Sequence, residues 1–228
     1  MKKIGIIFAM EEELNEFLKY ISLNKKNKIF DLTFYEGDFD NLEIVLVQCG
    51  VGKVNAARCT QILIDNYKPS YVFNIGVGGG VSDELNVLDI VIADRLVQHD
   101  FDITAFDHDK GYIPNIGIYT KCDNNLVDIA RQNKDVFTGV IASGDIFCTD
   151  KKMGKKINDK FNALCVEMEG AAVGQVCSLC DVPFLVIRSI SDCPNNNNLI
   201  TYEEFLNESC RKIALFMNDL LKKINKTV

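Results

Sequence analysis

The chain has 228 residues, with 25 Lys and Arg against 32 Asp and Glu, for a net charge of −7. A hydrophobic fraction of 47% and a charged fraction of 25% are those of a globular domain and exclude a disordered or fibrous chain. An acidic chain without a basic stripe is a poor partner for nucleic acid, whose affinity comes largely from neutralised phosphates, so a small-molecule ligand is expected.

The opening MKKIGIIFAMEEE carries two lysines and a short apolar run, then passes straight into Glu11, Glu12 and Glu13. It reads as a strand entering a helix and not as a secretory leader. No stretch approaches the ~20 apolar residues of a membrane-spanning helix, so no membrane partner and a cytoplasmic location are expected. The pattern predicts a buried strand over Ile4–Phe8 and a helix over Glu11–Tyr20. Phe30–Glu36 and Leu42–Gln48 flank the turn-rich GDFDN and predict a hairpin. A helix over Val54–Asn66, a strand over Tyr71–Ile75 running into GVGGG, and a strand over Val87–Asp94 follow. Asp100–Asn115 reads as loop. Beyond it the expected elements are helix Asn124–Gln132, strand Val136–Ala142, helix Asp150–Asp159, strand Ala163–Val166, helix Glu169–Cys180 and strand Phe184–Ile190. The asparagine run 195–198 reads as loop. Leu206, Cys210, Ile213, Met217, Leu220 and Ile224 recur at three- and four-residue steps and predict a terminal helix with its apolar stripe on the core. Strands separated by helices, with no linker, predict one domain over 1–228: a three-layer α/β/α sandwich around a mixed sheet.

The 9 cysteines are odd in number and lie mostly in apolar runs, as Cys49, Cys165, Cys177 and Cys210 do, which suits reduced core residues. Cys177 and Cys180 form a lone CxxC, far in sequence from the histidines His99 and His108, so no metal is expected.

In open α/β sheets ligands gather at the carboxyl ends of strands. Four segments fall there: Ala9–Glu13, Gly76–Gly80, Val166–Gly170 and Ser189–Asp192. The glutamate triplet has a plain alternative, since acids favour a helix N-terminus. The glycine cluster lets backbone approach a ligand closely, but Val81 occupies the last glycine position of GxGxxG. Gly50-Val51-Gly52-Lys53 is no Walker loop either, because Val47 and Val54 stand where its first glycine and its Ser or Thr belong. Glu167 and Glu169 are two apart and, in an extended segment, would leave on one face. Buried carboxylates need partners, and a sugar diol is one. Asp192 closes an apolar run and serves either as a cap for the next turn or as a positioned acid. Cleavage of an N-glycosidic bond suits this set. A raised-pKa acid protonates the leaving base, a carboxylate activates water on the other face, and a third acid holds the sugar.

At these residues the chain resembles the 5′-methylthioadenosine/S-adenosylhomocysteine nucleosidases of the purine/uridine phosphorylase superfamily. The matching pieces are IGIIFAMEEEL (4–14), CGVGKVNAA (49–57), NIGVGGG (74–80), HDFDITAF (99–106), SGDIF (143–147), VEMEGAA (166–172) and RSISD (188–192), in the family's order across nearly the whole chain. The resemblance implies a nucleoside phosphorylase-like fold and a cofactor-free hydrolase that releases adenine and clears by-products of S-adenosylmethionine use. It implies that Glu13 activates water, Asp192 protonates adenine N7 and Glu169 grips the ribose hydroxyls. Met168 would pack under the sugar, Phe147 on adenine, Gly79 beside the ligand, and Cys148 where backbone reads the base edge. Ser191 would orient Asp192, while Met10, Val51 and Tyr202 would wall the 5′-alkylthio pocket. It further implies a homodimer in which Phe106, within 106–114, reaches into the partner subunit's site. Val77 stands where relatives often carry a serine near the ribose, and His108 where an aromatic is common.

The residues also fit three rival readings. One is a purine nucleoside phosphorylase, for which Arg58 and Arg95 are candidate phosphate ligands. Another is a nucleosidase for a different 5′-substituted adenosine, such as aminodeoxyfutalosine or 5′-deoxyadenosine. The third is a non-catalytic adenosine-binding module.

Overall fold

A computed structural model describes residues 2–193 and 198–227, with backbone only for 198–201 and 227. The first strand, β1 (Lys2–Phe8), is apolar on both faces and becomes the spine of the sheet, with Ile4, Ile6, Ile7 and Phe8 almost wholly buried. It enters α1 (Glu11–Leu18), and the chain then runs β2 (Ser22–Ile29), β3 (Leu32–Phe39), β4 (Leu42–Gln48) and α2 (Lys53–Tyr67). Next come β5 (Tyr71–Gly80), β6 (Ile90–Gln98), a 3₁₀ turn at Thr104–Phe106, β7 (Thr120–Lys121), α3 (Asn124–Ala130) and β8 (Val136–Ser143). The last elements are α4 (Lys151–Phe161), β9 (Ala163–Glu167), α5 (Gly170–Leu179), β10 (Phe184–Asp192) and α6 (Asn198–Thr227).

These strands form one mixed sheet. β1 runs parallel to both β4 and β5, and β10 runs parallel to β5. Beyond β5 the sheet curls into a ring, because β10 pairs with β6, β6 with β8, β8 with β9, and β9 with β5 again at Gly79 and Gly80. Helices α2 and α5 pack on each other, while α1 and α3 pack on α6, which lies along β10, giving the α/β/α layering expected. The largest core side chains, among them Phe8, Phe17, Phe34 and Phe73, are fully buried. Each such side chain contributes about 1.5–3 kcal/mol. A smaller apolar cluster of Val97, Val140, Ile157, Phe161 and Val166 seats α4. Among the described residues no helix is long and apolar enough to cross a membrane.

Several expectations need correction. Residues 22–29 form a strand, SLNKKNKI, that carries no apolar alternation because it is an exposed edge, protected by lysines. Phe30 is not in a strand but in the β2–β3 turn, at φ 56° and 75% exposed. The β3–β4 turn shrinks to Asp40-Asn41, and the rest of GDFDN is strand. The glycine run is also strand, since β5 continues to Gly80 where β9 and β10 pair with it. The expected strand at Val87–Asp94 begins at Ile90 and extends to Gln98, where β8 supplies a partner along its length. The loop over 100–115 contains the 3₁₀ turn, and β7 after it was not expected. Residues 195–197 of the asparagine run lie outside those described.

Candidate active site

Because β1, β5 and β10 are parallel, their carboxyl ends open on one edge of the sheet, and a cavity of 280 Å³ lies there. That is near the lower end of ligand-pocket sizes, ~300 Å³. Its walls include Glu13, Glu167, Glu169 and Asp192, and no lysine, arginine or histidine lines it among the described residues.

Glu13 is both helix cap and cavity wall. It occupies the third position of α1, and its Oε2 accepts the amides of Ala9 (2.9 Å) and Met10 (3.0 Å), while Oε1 accepts the amide of Val77 (3.0 Å). Glu11 and Glu12 stay exposed, so the electrostatic reading of the triplet holds for them. A Cβ built on Gly76 would overlap Glu13 Oε1 and stand 3.0 Å from its carboxyl carbon, so only glycine admits this carboxylate against β5. Burial raises the Glu13 pKa, opposed by the Arg188 charge and the three amides. Asp192 ends β10 after a bulge, 3% exposed. Burial pushes its pKa up to about 6, opposed by a hydrogen bond of 2.9 Å from Ser191 Oγ to Oδ1. Its Oδ2 would lie 3.3 Å from a Cβ on Gly79. Glu13 and Asp192 thus flank the same stretch of β5, at Gly76 and Gly79, separated by about 10 Å of strand.

Glu167 and Glu169 do not share a face. The strand stops at Glu167, and Glu169 turns into the N-cap of α5 with φ −133° and ψ −41°. Glu167 is spent internally: it accepts Ser143 Oγ, the Arg188 guanidinium, and the amides of Glu169 (3.0 Å) and Gly170 (2.7 Å). Glu169 accepts the Gly52 amide at 2.8 Å and lies 3.9 Å from Arg188. Burial and the Glu167 charge push its pKa up to about 7.

Met10, Val51, Val77, Gly79, Phe147, Cys148, Met168, Ser191 and Tyr202 also line the cavity. Tyr202 reaches from α6 with its hydroxyl 3.3 Å from Met10 Sδ, and its ring meets Phe147 edge to face at 5.7 Å. Val77, for all its apolar side chain, gives its amide to Glu13. Phe106 is apart from this group: it sits in the 3₁₀ turn, 75% exposed, and lines no part of its own chain's cavity. His108 stacks on Tyr112 at 4.6 Å. Arg58 pairs with Asp31, and Arg95 lies over Tyr119 at 5.2 Å, so neither reaches the cavity.

The sequence reading missed Arg188. It is 1% exposed and bonds Asn74 Oδ1 (2.6 Å), the Asn74 carbonyl (3.1 Å) and Glu167. The signal was present: one arginine inside the apolar run FLVIRSISD requires buried acids around it.

The sequence model of the Phosphorylase superfamily matches residues 3–222. A 5′-methylthioadenosine/S-adenosylhomocysteine nucleosidase of a Geobacillus species is 38% identical over 98% of this chain and 100% of its own. The chain belongs to that nucleosidase family within the phosphorylase superfamily. It is accordingly an enzyme that hydrolyses nucleosides at the N-glycosidic bond. Among solved structures, the Helicobacter pylori nucleosidase of the same name, in complex with a pyrrolidine compound, superposes with a TM-score of 0.94 at 34% identity over 97% of this chain and 98% of that one. A futalosine hydrolase from Helicobacter pylori also superposes with a TM-score of 0.94, at 33% identity over 97% of this chain and 98% of its own.

Proposed function

We propose that the enzyme hydrolyses 5′-methylthioadenosine and S-adenosylhomocysteine, releasing adenine and the 5-thioribose product, with Glu13 as base and Asp192 as acid. The observation that carries this reading is a single cavity walled by both acids and by no cationic side chain among the described residues. Such a wall repels a phosphate dianion and suits water as nucleophile.

Environment divides the two roles. Burial raises the Glu13 pKa, but three amides and the Arg188 charge oppose it and stabilise the carboxylate, the form that takes a proton from water. Asp192 has one hydroxyl donor and a pKa pushed up to about 6, so below that pH it holds a proton to give. With Ser191 on Oδ1, Oδ2 is left for adenine N7. As the C1′–N9 bond stretches, the sugar gains oxocarbenium character and the purine gains electron density, which the Asp192 proton neutralises. Water adds at C1′ from the other face and loses its proton to Glu13. Glu169 accepts the ribose hydroxyls, with Met168 beneath the ring, Phe147 stacked on adenine and Met10, Val51 and Tyr202 around the 5′ group. Gly79 and Cys148 complete the base side with main chain.

The half-exposed Val51 and Ile146 on the cavity wall, with Val54 78% exposed at the start of α2, support a homodimer that covers the mouth. In that dimer each Phe106 contributes to the partner subunit's site. The likeness to a futalosine hydrolase supports a second reading, in which bulkier 5′ substituents are also accepted. Adenine release from 5′-methylthioadenosine, S-adenosylhomocysteine and aminodeoxyfutalosine, with and without phosphate, tests both readings. Turnover of the first two in phosphate-free buffer is expected. A requirement for phosphate, or turnover of the third compound alone, overturns the main reading.

A further inference from the structure

The HDFD and SGD segments bear no role in the mechanism above, yet they meet at one closed circuit. The N-terminus of α2 has no side-chain cap of its own. Its first amides go instead to carboxylates from distant segments: Gly52 N–H to Glu169 Oε1 at 2.8 Å, and Lys53 N–H to Asp145 Oδ1 at 2.8 Å. The Asp145 amide in turn donates to Asp100 Oδ2 at 2.9 Å, and Asp100 Oδ1 accepts the Lys53 ammonium at 2.6 Å. The circuit therefore runs from Lys53 to Asp145 to Asp100 and back to Lys53.

It is anchored on both sides. Lys53 Nζ also reaches Gln98 Oε1 at 3.1 Å, and Gln98 holds Gln175 of α5 at 2.8 Å. His99, between Gln98 and Asp100, is 5% exposed and packed against Gly144. The Lys53 and Asp100 side chains are each only 16% exposed, so solvent screens this pair less than it would a surface pair. Burial works against the Asp100 charge, but Lys53 and the Asp145 amide outweigh it and hold the carboxyl below its ordinary pKa.

The placement matters because the circuit is one residue from each wall of the cavity. Gly52, next to Lys53, holds Glu169 on the sugar side, and Gly52 itself needs φ +101°, where a side chain would be strained. Ile146 and Phe147, directly after Asp145, form the base side. We propose that the Lys53–Asp100–Asp145 circuit is a positioning device that fixes the distance between the ribose wall and the adenine wall, and so the alignment of the glycosidic bond between Glu13 and Asp192. This rests on the assignment of Glu169 to the sugar and Phe147 to the base.

The test uses full-length Asp100→Ala, Lys53→Met, their double variant and Lys53→Arg. The assay is adenine release from 5′-methylthioadenosine, with adenine inhibition and thermal melting measured alongside. Asp100→Ala and Lys53→Met are each expected to raise KM about tenfold or more and to lower kcat, as small misplacements do. Inhibition by adenine, which touches one wall only, is expected to change less than about threefold, and Lys53→Arg to stay near the parent. Because both single variants open the same circuit, the double variant should be little worse than either.

Parent values of KM and kcat in folded Asp100→Ala would overturn the proposal. So would equal weakening of adenine and nucleoside, or losses that multiply in the double variant. If Asp100→Ala does not fold, Lys53→Met against Lys53→Arg decides by the same criteria. Parent enzyme that releases no adenine would strike at the proposed function instead, and the circuit is then judged from nucleoside against adenine binding by calorimetry.

Discussion

As the proposed acid, Asp192 is placed where catalysis and stability pull in opposite directions. It is 3% exposed, and burial raises its pKa from 3.8 to about 6. Below both values the carboxyl is protonated in the folded and the unfolded chain alike, and its contribution to stability is fully present. As pH rises between about 4 and 6 the unfolded chain releases the proton while the folded chain keeps it. Folding then binds a proton, so stability falls with rising pH. Above about 6 the loss is complete. Roughly two pKa units at 1.36 kcal/mol each give up to about 3 kcal/mol. Asp192→Asn keeps an acceptor for Ser191 Oγ and removes the ionisation. The variant is expected to be more stable than the parent by up to about 3 kcal/mol at pH 8, with the gain shrinking toward zero near pH 4. It has no proton to give to adenine, so kcat should fall by about 10²–10⁴. Urea denaturation of both proteins from pH 4 to 8, with adenine release on the same samples, reads both effects. A stability difference independent of pH, a less stable variant at pH 8, or turnover at the parent rate would refute the reasoning.

Other consequences follow from the same geometry. In the proposed mechanism Asp192 acts only while protonated, so kcat/KM should decline as pH rises through about 6, measured over a range where the fold is intact. Glu13→Gln removes the proposed base and should lower kcat by about 10²–10⁴ while adenine still binds, as isothermal titration would read. Gly76→Ala drives a methyl group into the Glu13 carboxylate and should lower both melting temperature and kcat; a fully active, equally stable variant would contradict the close approach. Arg188→Met leaves Glu167 buried with its charge unmatched and should destabilise by about 3–5 kcal/mol in denaturant titration.

Arg188 also shows why the acids tolerate one another. Burial opposes its charge, but Glu167, Glu169 and Glu13 more than offset this, and the guanidinium remains positive at the centre of the acidic cluster. Asn74, on the neighbouring β5, accepts two of its hydrogen bonds, through its main-chain carbonyl and Oδ1. The charged groups of the cavity wall are therefore acidic, while the layer behind them carries the balancing cation.

Local chemistry was enough to read the strand–helix alternation, the buried β1 and β10, the apolar stripe of α6 and the acids at strand ends. Those features follow from side-chain type and period alone, and period 2 or 3.6 needs no knowledge of neighbours. What the period could not carry was anything set by a partner. The edge strand β2 has no apolar signal because solvent lies beside it, and the glycine run became strand because β9 and β10 pair with it. Glu167 and Glu169 look alike in sequence. The packing of Arg188 and Ser143 turned the first inward, and the amide of Gly52 drew the second toward the cavity. The circuit through Lys53, Asp100 and Asp145 joins segments as much as 92 residues apart. No spacing along the chain encodes it, because hydrogen bonds between such segments exist only once the sheet has brought their loops to one edge.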